Sequence, residues 1–505
     1  MKVHSFLLYG SRKKGLFQGG ITMRKRKLLS RISMATMLCG AFAGCSEKNP
    51  EPEITPGPTG ITEIAEPTLQ PTPTEAPCRD LGGMKIIIGD HWTPEAMAEP
   101  CVYVPPTARE LYEEAIMEKY NFTLERKMVA GWGEMEEAYI ESVQQGEPIA
   151  HLVDLDYRFL AKPLSMGLFY DLATLDEFDF SEEKWNSAVR EGMTFGSSIY
   201  GMRSDMSVPA GGVIFNKRLL EEAGLDPNLP YDLQAAGEWT WSKFEELCGI
   251  LTRDTNGDGQ TDVYATVSQG AQTIQSLVFS TGEDFIVKDA EGIFHNNLSS
   301  KNVTDAIDFA LQLYEKGYEM PQPEDSNWDY FTDAFVQGKA VMQFNELWMC
   351  DEWDGFYGEN MEEELGFVMP PKPDGAKGYY SYANDTVLVI PSCYDEKTAS
   401  DIAFAYNLFS VLIPEDKSRD KWKYRYMVKD ERIETDTLDY FNDGKSTFYL
   451  THMLAEGIWD SIGPDLLWLY PFKEVAPEAQ IREIAEKWDA LLEEANRGRE
   501  DKDAE

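Results

Sequence analysis

The stretch "DLGGMKIIIGDHW" (Asp80–Trp92) predicts a buried β-strand. Two glycines lead into a short apolar run, Met84–Ile88, and Gly89 ends it, which is typical of a strand buried on both faces. Two later stretches have a similar character, "NFTLERKMVAGW" (Asn121–Trp132) and "EPIAHLVDLDYR" (Glu147–Arg158). The sequence therefore predicts three strands in the first part of the globular body.

A helix is predicted between the first two strands. The stretch "PPTARELYEEAIMEKY" (Pro105–Tyr120) has Thr107 at the N-cap position and Glu110 three residues later, which together form a capping box. The predicted apolar face of this helix holds three residues, Leu111, Ala115 and Ile116. Strands that alternate with helices predict an α/β protein with a mostly parallel sheet.

Length and charge restrict the possible classes of protein. A chain of 505 residues is too long for one ordinary hydrophobic core, so we expect two lobes. The chain carries 46 Lys and Arg against 88 Asp and Glu, a formal net charge of −42. Such a surface repels phosphate backbones, which argues against nucleic-acid binding.

The N-terminal residues have the opposite charge. Residues 1–44 hold nine Lys or Arg and no acidic residue, and from Met23 a basic run precedes a short apolar segment. This pattern predicts a secretory signal peptide over residues 1–44, with Met23 as a possible true start. The sequence "FAGC", which ends at Cys45, resembles the bacterial lipoprotein box and implies cleavage before Cys45 and diacylation of that residue. A plain signal peptide with a chance cysteine is the alternative.

Residues 45–78 are predicted to be a tether. Eight prolines occur in the 32 residues after Cys45, and such a composition cannot bury a core. A lipid, a stalk and a globular body together predict a protein held on the outer face of the cell membrane.

Motifs of catalysis are absent from the sequence. It contains no HExxH, no GxSxG and no glycine fingerprint of a dinucleotide site after a predicted strand, and its five histidines are not spaced as metal ligands on a helix. We therefore predict a protein that is not an enzyme. The body contains five cysteines without a CxxC pair, and they are expected to be mostly buried thiols, although a bridge between the first two is conceivable: Cys78, Cys101, Cys248, Cys350 and Cys393.

An acidic loop, "DTNGDGQTD" (Asp254–Asp262), is similar to the calcium loop of an EF-hand. Its oxygen ligands would be Asp254, Asn256, Asp258, Asp262 and the carbonyl of Gln260. Position twelve, where a bidentate Glu belongs, is Ala265, and the sequence after it favours a strand. Two interpretations stay open: a structural calcium site completed from elsewhere, or a turn without metal. No other cofactor is predicted.

Four stretches in order resemble the extracellular solute-binding proteins of family 1, the sugar-binding components of ABC importers. They are "GGVIFNKRLLEEAGLDP" (Gly211–Pro227), "EWTWSKFEELCGILTRDTNGDGQTDVYA" (Glu238–Ala265), "FVQGKAVMQFNELW" (Phe335–Trp348) and "LVIPSCYDEKTASDIAFAYNLF" (Leu388–Phe409). The resemblance covers nearly all of Asp80 to Glu505. One departure is Phe215, where the family usually has tyrosine.

The resemblance implies a two-lobed, periplasmic-binding-protein-like α/β fold with a hinge and a ligand cleft between the lobes. It implies a monomer that delivers a carbohydrate to ABC permease subunits. Each lobe would consist of separate chain segments: lobe 1 of residues 79–208 and 384–435, and lobe 2 of residues 209–383 and 436–505.

Sugars present flat CH faces and many hydroxyls, so a sugar cleft needs aromatic rings, carboxylates and amides. Candidates are the residues that follow predicted strand ends, where loops face the cleft. They are Asp90, His91, Trp92, Trp132, Asp156, Tyr157, Asn345, Glu346, Trp348, Tyr382, Asn384, Asp385 and Trp459. Of these, Trp348 matches a stacking position of the family.

Three other functions remain open at this level. The protein could bind peptides or another small solute, it could be a surface lipoprotein that degrades glycans, or it could present its sugar to a membrane sensor in place of a permease. Release of products from glycans would distinguish an enzyme from a binding protein.

Overall fold

The computed structural model describes residues 79–93, 107–204, 211–327, 329–351, 355–382, 386–413, 428–438, 451–467, 469 and 477–500. The predicted signal peptide, Cys45, the tether, Cys78, Cys101, Asn384 and Asp385 lie outside these residues.

The first part of the body contains five strands and four helices. They are β1 (Met84–Asp90), α1 (Ala108–Tyr120), β2 (Phe122–Met128), α2 (Met135–Gln144), β3 (Leu152–Asp156), α3 (Ala161–Ser165), α4 (Ser187–Gly192), β4 (Thr194–Phe195) and β5 (Ser198–Ile199). Three 3₁₀ helices, Trp132–Glu134, Tyr157–Phe159 and Leu172–Thr174, lie between them.

The middle part begins with β6 (Gly211–Asn216), α5 (Lys217–Glu222), α6 (Leu229–Ala236), α7 (Trp241–Leu251), β7 (Tyr264–Thr266) and α8 (Gly270–Ser280). It continues with β8 (Ile286–Lys288), β9 (Phe294–Asn296), α9 (Lys301–Glu315), α10 (Tyr330–Val336), β10 (Ala340–Glu346), the 3₁₀ helix Leu347–Cys350, α11 (Phe356–Asn360) and β11 (Leu365–Val368).

The last part contains β12 (Thr386–Val389), α12 (Glu396–Phe409), a π-helical turn at Ile433–Leu438, α13 (Thr451–Leu454), α14 (Ile458–Leu467) and α15 (Pro477–Glu500). Among the described residues, no helix is both long and apolar enough to cross a membrane.

Two four-stranded sheets organise these elements, in the orders β12-β3-β1-β2 and β11-β6-β10-β7. In the first sheet β1 pairs in parallel with β2 and β3, and only β12 is antiparallel, so the prediction of a mostly parallel sheet is confirmed there. In the second sheet β6 is antiparallel to both β10 and β11, and that prediction is wrong.

The two antiparallel strands β6 and β12 share one feature. Thr386, the first residue of β12, pairs with Asp156, the last residue of β3. Gly211, the first residue of β6, likewise pairs with Glu346, the last residue of β10. Both strands therefore begin at the edge of the sheet where a neighbouring strand ends, and each runs antiparallel to that neighbour.

Helix α1 begins as predicted and packs with a different face. The capping box of Thr107 and Glu110 is present. Ile116 is buried, but Leu111 is 53% exposed and Ala115 is exposed, so the predicted apolar face is wrong in two of its three residues. Tyr112 turns inward in their place, and its hydroxyl donates to the Leu408 carbonyl of α12 over 3.1 Å.

One apolar cluster joins the two sheets. It contains Val153 and Leu155 of β3 together with Val213 of β6 and Phe344 of β10. The opposite face of the first sheet forms a second cluster, in which Ile88 packs with residues of α12 such as Tyr406. The strand ends lie at the rim of the larger cluster, where polar side chains can meet.

The cysteine prediction is mostly confirmed among the described residues. Cys248 and Cys350 are buried free thiols, but Cys393 is exposed. Cys393 lies in the turn between β12 and α12, where the backbone is at the surface, so its burial was wrongly predicted.

A buried carboxyl group, that of Glu319, supports the chain after β7. It accepts hydrogen bonds from the Thr266 hydroxyl and from the backbone N–H of Ser268, the latter over 2.6 Å. Burial raises the pKa of Glu319 from 4.5 to about 7, although both hydrogen bonds oppose this change. The folded protein therefore holds this proton more tightly than the unfolded chain does.

We expect the stability of the protein to depend on pH through Glu319. The raised pKa adds about 3 kcal/mol to the free energy of unfolding. This contribution is complete below pH 4.5 and is lost as the pH rises through about 7. Glu319→Gln, which imitates the protonated form, should remove this part of the dependence. Denaturant unfolding at pH 5 and pH 7.5 measures it, and an unchanged pH dependence in the variant would contradict the assignment.

Candidate ligand-binding site

The first group of candidate residues follows β1. Asp90 is fully buried, and its carboxylate accepts hydrogen bonds from the backbone N–H groups of Trp92 (3.1 Å) and Thr93 (2.8 Å) and from the Thr93 hydroxyl (2.6 Å). Both oxygens of Asp90 therefore hold the loop that carries His91 and Trp92.

Trp92 is exposed, whereas His91 beside it is only partly exposed. Trp92 is 46% exposed, an unusual position for a large aromatic ring, and its ring meets that of His91 edge to face at 4.7 Å. His91 Nδ1 is enclosed and has no hydrogen-bond partner among the described residues. Burial lowers the pKa of His91, although the negative charges of Asp156 and Asp90 act in the other direction. A neutral imidazole with an unused nitrogen can bind a hydroxyl group.

The second group surrounds the end of β3, where Asp156 and Arg158 form a pair. Arg158 Nε and Nη2 donate to the two oxygens of Asp156 over 2.7 and 2.6 Å, and the Arg158 backbone N–H adds a third bond of 3.0 Å. Burial acts to raise the pKa of Asp156, but the bonds and charge of Arg158 outweigh it, and the pKa is lowered. Asp156 is therefore a carboxylate at neutral pH.

Aromatic rings enclose this pair. The Arg158 guanidinium carbon lies 4.9 Å from the centre of the Trp132 ring and 5.0 Å from that of Tyr157. Trp132 Nε1 is 3.5 Å from Asp156, and its ring packs against Phe159 at 5.1 Å. Tyr157 is buried and meets Trp459 of α14 edge to face at 6.3 Å. The structure thus brings Trp132, Asp156, Tyr157 and Trp459 together.

The third group follows β10 in the second sheet. The Trp348 indole N–H donates to Glu346 over 2.5 Å, and both side chains are partly buried. Asn345 is buried, accepts from Gln272 of α8 over 3.2 Å and donates to Gln343 over 2.7 Å. The negative charge of Glu346 acts on both Tyr157 and Arg158, so the third group lies within electrostatic range of the second.

Tyr382 lies where the chain passes between the sheets. Its ring packs on Phe279 at 5.3 Å and lies close to Gly211, the first residue of β6. A Cβ atom at Gly211 would come within 2.1 Å of the Tyr382 ring, so this close approach requires glycine. Ser381 fixes the same segment by donating to the Gly211 carbonyl over 2.5 Å.

Sequence reasoning missed Arg158 and Gln272. Arg158 directly follows the predicted pair Asp156 and Tyr157, and a search for the cation that compensates a buried carboxylate could have found it. Gln272 lies on a helix far from any predicted strand end, and no local signal in the sequence points to it.

The acidic loop at residues 254–262 is exposed and closed by its own hydrogen bonds. Asp254 accepts from the backbone N–H groups of Gly257 (2.6 Å) and Gly259 (2.7 Å), and Asp258 accepts from that of Gln260 (2.8 Å). Asp262 accepts from Asn256 Nδ2 over 2.9 Å. Among the described residues, no group of three or more His, Cys, Asp or Glu side chains is placed to hold a metal ion. The calcium site stays a prediction.

We expect calcium, if the loop takes it up, to change stability and leave ligand affinity unchanged. The reason is that the side-chain hydrogen bonds of this loop join residues of the loop itself and do not reach the strand ends of the candidate ligand-binding site. The midpoint of thermal unfolding and the ligand Kd, each measured with EDTA and with calcium, test this. A weaker Kd at an unchanged midpoint would contradict it.

Two sheets whose strand ends converge on tryptophans, carboxylates and amides, with the chain passing between them, form a two-lobed binding protein. The chain belongs to the bacterial extracellular solute-binding protein family, whose profile matches residues 114–405, more than half of its length. Comparison with curated proteins finds no match.

Solved structures with this fold are similar to the chain at low identity. A cyclic α-maltosyl-1,6-maltose binding protein from Arthrobacter globiformis is 14% identical with a TM-score of 0.55, over 81% of this chain and 99% of its own. A solute-binding protein from Thermotoga lettingae bound to α-D-tagatose is 15% identical with a TM-score of 0.51, over 81% and 99%. UgpB from Mycobacterium tuberculosis in complex with glycerophosphocholine is 14% identical with a TM-score of 0.51, over 76% and 94%. At this identity the likeness shows the fold.

Proposed function

We propose that the protein captures a carbohydrate, an oligosaccharide, between its two lobes and delivers it to an ABC permease. One observation carries the proposal: Trp132, Tyr157 and Trp348 follow strand ends of the two sheets together with hydrogen-bonding side chains, and Trp459 of α14 packs against Tyr157. Rings of this kind stack on the CH faces of sugars, while amides, carboxylates and a neutral histidine bind hydroxyl groups. The ligands of the Arthrobacter and Thermotoga proteins support the same chemistry.

Two carboxylates of the site, those of Asp90 and Asp156, are already engaged within the protein, which favours binding over hydrolysis. Glycoside hydrolysis needs two carboxyl groups that face the scissile bond, one of them able to give up a proton. The Asp90 carboxylate accepts hydrogen bonds from its own loop. The Asp156 carboxylate is paired with Arg158, and this pairing lowers the pKa of Asp156. We therefore propose that the protein is not an enzyme.

Thermal unfolding of the full-length protein with a panel of mono- and oligosaccharides tests the proposal. A ligand that binds only the folded form raises the midpoint by mass action, so a shift with one class of sugar and no product from that sugar is expected. Released product would indicate an enzyme. No shift with any sugar would overturn carbohydrate binding and favour another small solute, as the glycerophosphocholine complex of the Mycobacterium protein illustrates.

The proposal includes a lipid anchor at Cys45. Cys45→Ala removes the thiol that would carry the lipid, and a leader without the cysteine is expected to leave the protein unanchored. Fractionation of a producing bacterium should find the natural chain with the membrane and the variant outside it. Cys393→Ala, which removes an exposed thiol of the body, is the control and should stay with the membrane. A variant at Cys45 that also stays with the membrane would contradict the anchor.

A further inference from the structure

The pairing of Arg158 bears on the charge of the ligand. An arginine in a binding cleft is normally a receptor for carboxylates and phosphates, because its planar fork of N–H groups matches both. In this protein Asp156 already occupies that fork, with Nε and Nη2 bound to its two oxygens. The charge of the guanidinium is thereby compensated within the protein.

Arg158 is also held in place. The two rings of Trp132 and Tyr157 lie 4.9 and 5.0 Å from its guanidinium carbon, and the pair is mostly shielded from water, with the side chains of Arg158 and Asp156 exposed by 22% and 8%. The Nε and Nη2 edge of the guanidinium is therefore occupied, and an anionic ligand could approach only the Nη1 side, where Asp156 already compensates the positive charge. Freeing the occupied edge would break a mostly buried pair, which is costly.

The other charges around the strand ends are mainly negative. Four carboxylates of the described residues lie around the strand ends, those of Asp90, Asp154, Asp156 and Glu346, against three guanidinium groups. Arg158 pairs with Asp156, Arg126 pairs with Asp154 over 3.1 Å, and Arg203 donates to the carbonyl and the hydroxyl of Thr386, which is paired with Asp156. The charge of Glu346 acts on Arg158 from the second sheet.

The whole chain carries a formal charge of −42, which adds a long-range repulsion of anions.

We propose that this site selects its ligand by charge: it accepts neutral sugars and amino sugars, and it rejects uronic acids and sugar phosphates because Asp156 neutralises Arg158, the arginine that lies among the aromatic rings of the site. This inference rests on the proposed function, since it names the class of carbohydrate that the same site takes.

Matched sugars test the charge selection. Each set keeps the ring and linkage and changes only the charge: glucose, glucosamine and glucuronate; galactose, galactosamine and galacturonate; and the β-1,4 trimers of glucose, glucosamine and glucuronate. Calorimetric titration of the full-length protein should give, within any set that binds, a Kd at least tenfold weaker for the uronate. A uronate that binds as tightly as its neutral partner would overturn the charge selection and leave carbohydrate binding intact. Failure of every set, together with no thermal shift across the wider panel of sugars, would overturn the proposed function itself.

A variant tests the role of Asp156 directly. Asp156→Asn keeps the shape of the side chain and releases the charge of Arg158, so the ratio of uronate to neutral affinity should rise at least tenfold. The matched control is Asp401→Asn. Asp401 accepts two bonds from Arg79 (3.2 and 2.7 Å), and it lies on α12, away from the strand ends. This control should leave the ratio unchanged.

Glu346→Gln provides a second test if the Asp156 variant does not fold. It removes one negative charge without touching the pair of Asp156 and Arg158, and it should reduce the discrimination against uronates by a smaller factor. An unchanged ratio in every variant that folds would overturn the assignment of selectivity to these charges.

Discussion

Replacement of Trp348 by alanine is expected to weaken carbohydrate binding roughly thirtyfold or more, the effect of removing about 2 kcal/mol at a buried aromatic anchor. Trp348 is partly buried beside the end of β10, and its indole N–H binds Glu346, so the ring is held at the strand ends where the ligand is proposed to lie. Titration of the variant with the sugar that gives the largest thermal shift measures the loss.

Trp241 provides a matched control for this variant. It is also a partly buried tryptophan of the second lobe, but it lies at the start of α7, and its ring stacks on Phe309 at 5.0 Å. Trp241→Ala should lower the stability and leave the Kd of the folded protein nearly unchanged. Equal losses of affinity in the two variants would mean that the effect of Trp348 reflects folding and not contact with the ligand.

Replacement of Arg158 by alanine is expected to lower the free energy of unfolding by about 3–5 kcal/mol, because it leaves the buried Asp156 without its partner. The same change removes the cation that rests on Trp132. Denaturant unfolding at pH 7 measures the loss, and a change below about 1 kcal/mol would contradict the importance of this pair.

Arg126 allows the comparison with a more exposed pair. Its side chain is 37% exposed, and it reaches Asp154 over 3.1 Å. Since exposed ion pairs contribute about 0–1 kcal/mol, Arg126→Ala should cost far less than Arg158→Ala. Comparable losses would show that burial does not govern the strength of these pairs.

The sequence predicted which of the candidate residues lie near one another better than it predicted the contacts between them. Trp132 and Asp156 were predicted together because the ends of parallel strands meet at one edge of a sheet, and they lie 3.5 Å apart. The pair that Asp156 forms with Arg158 was not predicted. A carboxylate and an arginine two residues apart can point to different neighbours, and the packing of Trp132 and Tyr157 around this arginine is a tertiary contact that the local sequence does not show.

Two features of the fold were also beyond the sequence, for reasons of tertiary contact. Leu111 and Tyr112 begin adjacent stripes on α1, and the position of α12 decides which stripe turns inward. The antiparallel direction of β6 follows from the place where the chain enters the second sheet, beside the end of β10. Neither fact is encoded in the local pattern of residues.

Hydrogen exchange measured with and without the sugar that gives the largest thermal shift is the most direct test of capture between the lobes. Exchange on the scale of minutes to hours reports the local opening that a ligand suppresses. We expect protection in peptides from both sheets at once, around residues 90–92, 132 and 156–158 of the first and residues 345–348 and 382 beside the second. Protection confined to one sheet, or to the loop at residues 254–262, would contradict a ligand held between the strand ends.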